Sequence, residues 1–136
     1  MYDPDLVQPM REEVTRLGVK ELRTPEDVET AVKHPGTTLI FVNSVCGCAA
    51  GGARPGLKLS LLHKKKPDNL CTVFAGMDVQ ATEKAREFFR PYRPSSPQIA
   101  LLKDGKLLKM LQRQDIEGKD PATIARSLTE AFDQYC

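Results

Sequence analysis

Thr37-Thr38-Leu39-Ile40-Phe41-Val42-Asn43-Ser44, followed without a break by Val45-Cys46-Gly47-Cys48, decides the reading of this chain. The first eight residues are β-branched and apolar with little alternation, the pattern of a central strand covered on both faces. The strand hands over directly to a pair of cysteines one residue apart. Upstream, Leu6, Val7, Met10, Val14 and Leu17 recur at helical spacing, and Gly18 stands where a helix commonly stops. Val19 to Leu22 reads as a short edge strand. Thr24, with Pro25 at the first helical position and Asp27 three residues after the cap, opens a second helix that His34-Pro35-Gly36 closes.

Downstream, Leu70 to Met77 reads as a second central strand and Ala81 to Phe89 as a helix with Ala85, Phe88 and Phe89 toward the core. Two apolar runs, Gln98 to Leu102 and Lys106 to Leu111, flank Lys103-Asp104-Gly105, a strong short hairpin signal. Asp120 caps a last helix with Pro121 at its first position and Ile124, Leu128 and Phe132 inward. A parallel βαβ half followed by an antiparallel hairpin and a terminal helix makes an α/β sandwich. Such sheets present ligands at the ends of their parallel strands.

Composition sets the frame. A chain of 136 residues has the size of one domain, expected to span 1–136. Its 20 basic and 18 acidic residues nearly cancel, and Lys64-Lys65-Lys66 is too short a run for a nucleic-acid footprint. The start, Met1-Tyr2-Asp3-Pro4-Asp5, lacks the basic and apolar blocks of a secretory signal, and no apolar stretch reaches membrane-spanning length. A cytoplasmic location is the expectation, with no membrane and no nucleic acid among the partners. Four cysteines, unevenly placed, are too few for the framework of a disulfide-stapled secreted domain.

The close pair is therefore a question of chemistry. Cys46 at a strand-to-helix junction meets unpaired N–H groups and a partial positive charge, which favour the thiolate. Cys48, deeper in the turn, gains less. Gly47 gives the backbone the freedom to bring two sulfurs together across a tight ring, and the strained disulfide that results is easily opened. That suits an isomerase or a remover of mixed disulfides more than a strong reductant. The strand contains no Asp or Glu and the chain no tryptophan. Cys48 thus lacks an obvious base and is expected to resolve slowly.

Other residues bear on the pair. Ser96-Pro97 lies immediately before a strand; a cis bond there would aim the Ser96 backbone at a neighbouring site, whereas a strand-opening proline is ordinarily trans. Cys71 reads as core packing and Cys136 as a mobile terminal thiol. Arg54 reads as a solvated surface arginine, with support of the thiolate as the alternative. Gly51, Gly52, Pro55 and Gly56 make the start of the helix after the cysteines irregular, and Leu57, Leu61 and Leu62 are expected to anchor it. Metal binding by Cys46 and Cys48 would need further soft ligands, and His34, His63, Cys71 and Cys136 are scattered, so no metal or other cofactor is expected.

Several runs carry a resemblance to a known family: Val7-Gln8-Pro9-Met10-Arg11, Val42 through Cys46-Gly47-Cys48 to Ala49-Ala50-Gly51, Ala53-Arg54-Pro55, Pro67-Asp68-Asn69, Val73-Phe74-Ala75-Gly76, Pro94-Ser95-Ser96-Pro97 and Ile116-Glu117-Gly118. Together they resemble the bacilliredoxins over nearly the whole chain. The resemblance implies a thioredoxin-like fold: a central mixed β-sheet flanked by helices on both faces, with an extra N-terminal helix. It implies action on protein disulfides, in particular mixed disulfides with the low-molecular-weight thiol bacillithiol, and also disulfide isomerisation. Carried over by motif, Cys46 is the nucleophile, Cys48 the resolving thiol and Pro97 a cis-proline facing them, with Gly47 and Ser96 in support. The terminal Cys136 also matches a family habit. Where an Arg-His pair is expected before Ile-Glu-Gly, this chain has Arg113-Gln114-Asp115, which puts any imidazole function there in doubt.

The expected partners are thus thiol-capped or disulfide-bonded cytosolic proteins and bacillithiol or an equivalent small thiol, with the protein a monomer or weak dimer. A thiol redox sensor or soft-metal (zinc or copper) binding protein is the alternative of another class.

Overall fold

The computed structural model describes residues 1–136. It contains five strands: β1 (Lys20–Glu21), β2 (Thr37–Asn43), β3 (Asn69–Phe74), β4 (Gln98–Lys103) and β5 (Lys106–Leu111). The helices are α1 (Pro4–Thr15), α2 (Pro25–Lys33), α3 (Arg54–Ser60), α4 (Val79–Glu87), the short α5 (Arg113–Ile116) and α6 (Pro121–Tyr135), with a π-helical turn at Ala49–Ala53. The strands form one sheet of order β1-β3-β2-β4-β5. β3 runs parallel to β2, with Thr38 opposite Asn69 and Asn43 opposite Phe74. β4 runs antiparallel on the other side, with Thr37 opposite Lys103 and Val42 opposite Gln98.

β2 is buried at every position because it has a strand on each side and helices above and below. Its side chains alternate between two cores. Leu39 and Phe41 pack with Val14, Leu57, Ile124, Leu128 and Phe132 from α1, α3 and α6. Ile40 and Val42 pack with Val28, Val32, Ala81, Ala85 and Phe89 from the α2 and α4 side. Each fully buried Leu or Phe contributes about 1.5–3 kcal/mol, so both faces hold the strand in place.

The local signals act as their chemistry demands. Thr24 and Asp27 form a reciprocal capping box at α2, and Asp120 accepts a hydrogen bond from the Thr123 amide at α6. Asp104 and Gly105 take φ of 49° and 82°, the left-handed pair a two-residue hairpin turn requires. α3 and α6 cross closely at Gly56, where a Cβ would lie 2.8 Å from Cγ2 of Ile124.

Several boundaries and faces differ from expectation. β3 ends at Phe74, not Met77, because Gly76 turns the chain with φ of 85°. α4 starts two residues earlier than expected and ends at Glu87. On α1 the buried face is Val7, Arg11 and Val14, a 4-then-3 spacing, and Leu6 stands outside it. Leu57 anchors α3, whereas Leu62 is 81% exposed because the helix has ended at Ser60. Arg11 makes a two-pronged ion pair with Asp78 at 2.9 and 3.0 Å, which fastens α1 to the start of α4. No helix is long and apolar enough to cross a membrane.

Candidate active site at the end of the central strand

Past Asn43 the chain makes a short bend and enters a continuous helical run from Gly47 to Ser60. Cys46 is its N-cap: its carbonyl accepts from the amides of Ala49 and Ala50 at 2.9 and 3.2 Å. Its sulfur occupies the place of a capping oxygen, accepting from the Cys48 amide at 3.4 Å. The Cys46 amide in turn donates to Oγ of Ser44 at 3.2 Å. The run then widens to a π turn over Ala49-Ala50-Gly51-Gly52-Ala53, with the Arg54 amide bonded to the Ala49 carbonyl. Pro55 has no amide to donate, and two glycines relax the backbone before it, so the wider turn is accommodated there.

This geometry separates the two thiols, both free and half-buried. The Cys46 thiol is more acidic than an ordinary cysteine. The largest cause is a hydrogen bond from the Cys48 thiol; burial opposes it, while the amides of Cys48 and Ala49 and the positive charge of Arg113 add to it. Cys48 moves the other way: burial raises it first, and the hydrogen bond and negative charge of Cys46 raise it further. Arg113 is the charged side chain whose field favours the Cys48 thiolate. Arg113, the first residue of α5, also pairs with Glu117 at 2.9 Å. Its role was not foreseen; the only signal was its place just before Ile116-Glu117-Gly118.

The Ser96–Pro97 peptide bond is cis, as the family resemblance implied. Gln98 pairs with Val42, so Pro97 and Ser96 lie at the Cys46 end of the sheet. The loop is braced on both sides. Arg86 donates to the Ser95 carbonyl at 2.8 Å, and Ser95 Oγ donates to Gln112 at 3.1 Å while accepting from the Arg113 amide at 3.3 Å. A groove of about 550 Å³ opens here, lined by Tyr92, Arg93, Ser95, Gln112, Arg113 and Glu117 among others. A second cis bond, Arg90–Pro91, had no signal in the sequence reading.

The remaining candidates separate from the site. Arg54 is not a solvated surface residue: it is 3% exposed, because Asn43, Ser44 and Glu13 supply acceptors for its guanidinium. Cys71 is buried in the core and its thiol is pushed up to about 11 by that burial. Cys136 is exposed but not loose, since its amide bonds to the Phe132 carbonyl at the end of α6. Its side chain lies by Thr37, at the opposite end of β2 from Cys46, so it takes no part in the pair. No three His, Cys, Asp or Glu side chains gather in a group that could hold a metal ion.

Comparison with known proteins agrees with this geometry. A family model described as disulphide isomerase matches residues 2–136. A bacilliredoxin of Geobacillus kaustophilus is 54% identical over 132 residues, covering 97% of this chain and 91% of the relative. One from Cytophaga hutchinsonii is 52% identical, covering 98% and 99%. Among solved structures, a putative oxidoreductase with a thioredoxin fold superposes with a TM-score of 0.62 at 14% identity, covering 80% of this chain and 92% of that one. Oxidised mitochondrial thioredoxin 3 of Saccharomyces cerevisiae gives 0.57 at 15%, covering 90% and 98%. With a thioredoxin fold and relatives at half identity over nearly its full length, the chain belongs to the bacilliredoxin family of thiol redox proteins.

Proposed function

We propose that this protein removes low-molecular-weight thiol caps of the bacillithiol type from cysteines of cytoplasmic proteins, with Cys46 as nucleophile. The observation that carries the reading is the Cys46 sulfur at the N-cap, where the Cys48 amide donates to it at 3.4 Å. A thiolate so held attacks the cap sulfur of a protein mixed disulfide. The bond between the two substrate sulfurs breaks, the protein sulfur leaves as a thiolate, and the cap remains on Cys46 as a new mixed disulfide.

That first step removes the negative charge from Cys46 and with it two of the three causes that keep the Cys48 thiol protonated. Arg113 then acts on Cys48 with less opposition. Cys48 loses its proton to solvent and attacks the Cys46 sulfur, expelling the small thiol and closing the Cys46–Cys48 disulfide across Gly47. A second small thiol can clear the cap instead. Both routes leave the target reduced. With no carboxylate to act as base, resolution by Cys48 is the slower step. The groove lined by Ser95 and Arg113 offers the cap a place to lie. Isomerisation of protein disulfides uses the same first step with a protein sulfur in place of the cap, in keeping with the description of the matching family. The active form is a monomer or weak dimer.

The test is a protein capped on one cysteine, incubated with wild type, Cys46→Ser and Cys48→Ser, with cap release followed by intact mass. One free cap released per wild-type molecule, which ends as the Cys46–Cys48 disulfide, no release by Cys46→Ser, and a cap accumulating on Cys46 in Cys48→Ser are expected. A cap that stays on wild-type Cys46 and is not released would replace the enzyme by a redox sensor.

A further inference from the structure

Arg54 is nearly fully buried behind the cysteine loop, yet it makes no hydrogen bond to either cysteine. One terminal nitrogen donates to Oδ1 of Asn43 at 3.0 Å and to the Ser44 carbonyl at 2.9 Å. Its Nε donates to Glu13 of α1 at 2.8 Å. The Asn43 oxygen also accepts from the Ser44 amide at 2.9 Å, and the Asn43 side-chain nitrogen donates to the Met10 carbonyl of α1 at 3.0 Å. Ser44, held at both its amide and its carbonyl, then receives the Cys46 amide on its hydroxyl. An unbroken chain of hydrogen bonds runs from α1 through Arg54 and Asn43 to the nucleophile's own backbone.

We propose that Arg54 is a positioning residue for Cys46: its forked guanidinium locks Asn43 and Ser44, and through them keeps the Cys46 sulfur at the helix N-cap. Glu13 orients the fork, which makes the N-terminal helix part of the site's support. The inference rests on the reading of Cys46 as the nucleophile. The requirement is for the shape of the group as well as its charge. A lysine at this position carries the charge but offers no planar fork to span Glu13, Asn43 and Ser44 together. The groups that face the Cys46 sulfur are Cys48 from its own helix and Arg113 from α5, the latter paired with Glu117; Arg54 and Glu13 sit behind the loop.

The experiment is the pH profile of Cys46 alkylation, located by mass spectrometry, in wild type, Arg54→Lys, Arg54→Gln and Ser44→Ala. Val28→Ala, a core change on the other side of the sheet, controls for loss of stability alone. The three site variants are expected to move the midpoint upward and to slow alkylation at neutral pH roughly two- to fivefold, the size of a helix N-terminal effect. Val28→Ala should leave the profile in place. A wild-type profile in Arg54→Lys would overturn the proposal in favour of bare charge, and wild-type profiles in all three would reduce Arg54 to a structural filler. If the Arg54 variants do not fold, Ser44→Ala decides, since it keeps the guanidinium and removes the last link: a raised midpoint supports the proposal and an unmoved one overturns it. A low wild-type midpoint that no variant moves sinks only the positioning role, whereas an ordinary wild-type midpoint sinks the nucleophile reading beneath it.

Discussion

The backbone amide of Cys48 donates to the sulfur of Cys46 at 3.4 Å, so the second cysteine of the motif supports the first before any disulfide forms. Its neighbouring thiol also favours the Cys46 thiolate. Cys48 therefore has two duties, donor to the thiolate and later nucleophile against the cap. The two can be separated by substitution. Cys48→Ser keeps a side-chain donor and should leave the Cys46 alkylation profile near that of wild type. Cys48→Ala loses the donor and should shift the profile to higher pH. Equal profiles for the two variants would remove the side-chain hydrogen bond from the account.

Arg113 supplies the only nearby cationic side chain that favours both thiolates. A positive charge lowers a thiol's pKa, so its loss must raise it. Arg113→Gln is expected to slow Cys46 alkylation at neutral pH by about two- to threefold, a modest effect because the side chain is half exposed. Added salt should reproduce part of that loss in wild type and little of it in the variant. Stopped-flow alkylation at two ionic strengths checks both.

Three of the four cysteines should react in a fixed order. Cys46 leads because its thiol is the one whose pKa is lowered. Cys136 is exposed, but partial burial and the charge of Asp68 raise its thiol, so it follows. Cys71, buried and pushed up to about 11, should stay unmodified until the protein unfolds. Timed alkylation with peptide mapping, with and without denaturant, gives the order directly.

Arg11 and Asp78 form a buried pair between α1 and α4. Removing Asp78 leaves the buried Arg11 with Glu21, at 3.4 Å, as its remaining carboxylate, so Asp78→Ala should lower stability by about 3 kcal/mol, the low end for a broken buried pair. The pair Arg11→Met with Asp78→Ala should cost less than Asp78→Ala alone. Denaturant unfolding of the single and double variants measures the difference.

At Gly56 an added methyl group would meet the β-branched side chain of Ile124, which cannot swing aside as a lysine tip could. Gly56→Ala should cost about 1–3 kcal/mol by overpacking the contact of α3 with α6. A thermal midpoint equal to that of wild type would mean that the two helices can separate at no cost.

Much of this architecture was readable because local and long-range signals agreed. The unalternating run from Thr37 to Asn43 could only be a strand covered twice, and Thr24, Asp27, Asp104, Gly105 and Asp120 each perform the one local task their chemistry suits. Cys46 at the strand end was legible for the same reason. The supports of the site were not. Arg54 reads in sequence as one more surface cation, because burying it depends on acceptors from Glu13 on the N-terminal helix and from Asn43 across the cysteine loop. Arg113 reaches the cysteines from a short helix after the hairpin, which no periodicity could reveal. The end of β3 before Gly76 and the end of α3 at Ser60 fall a few residues short of the apolar runs, because a turn outweighs the run at each place.

The pH dependence of alkylation at Cys46 and Cys48, resolved residue by residue in the reduced protein, tests the central claim most directly. Cys46 is expected to ionise below the value of about 8.5 for a free cysteine and to react first, with Cys48 following only in more alkaline solution. Two thiols titrating together at that free value would contradict the account.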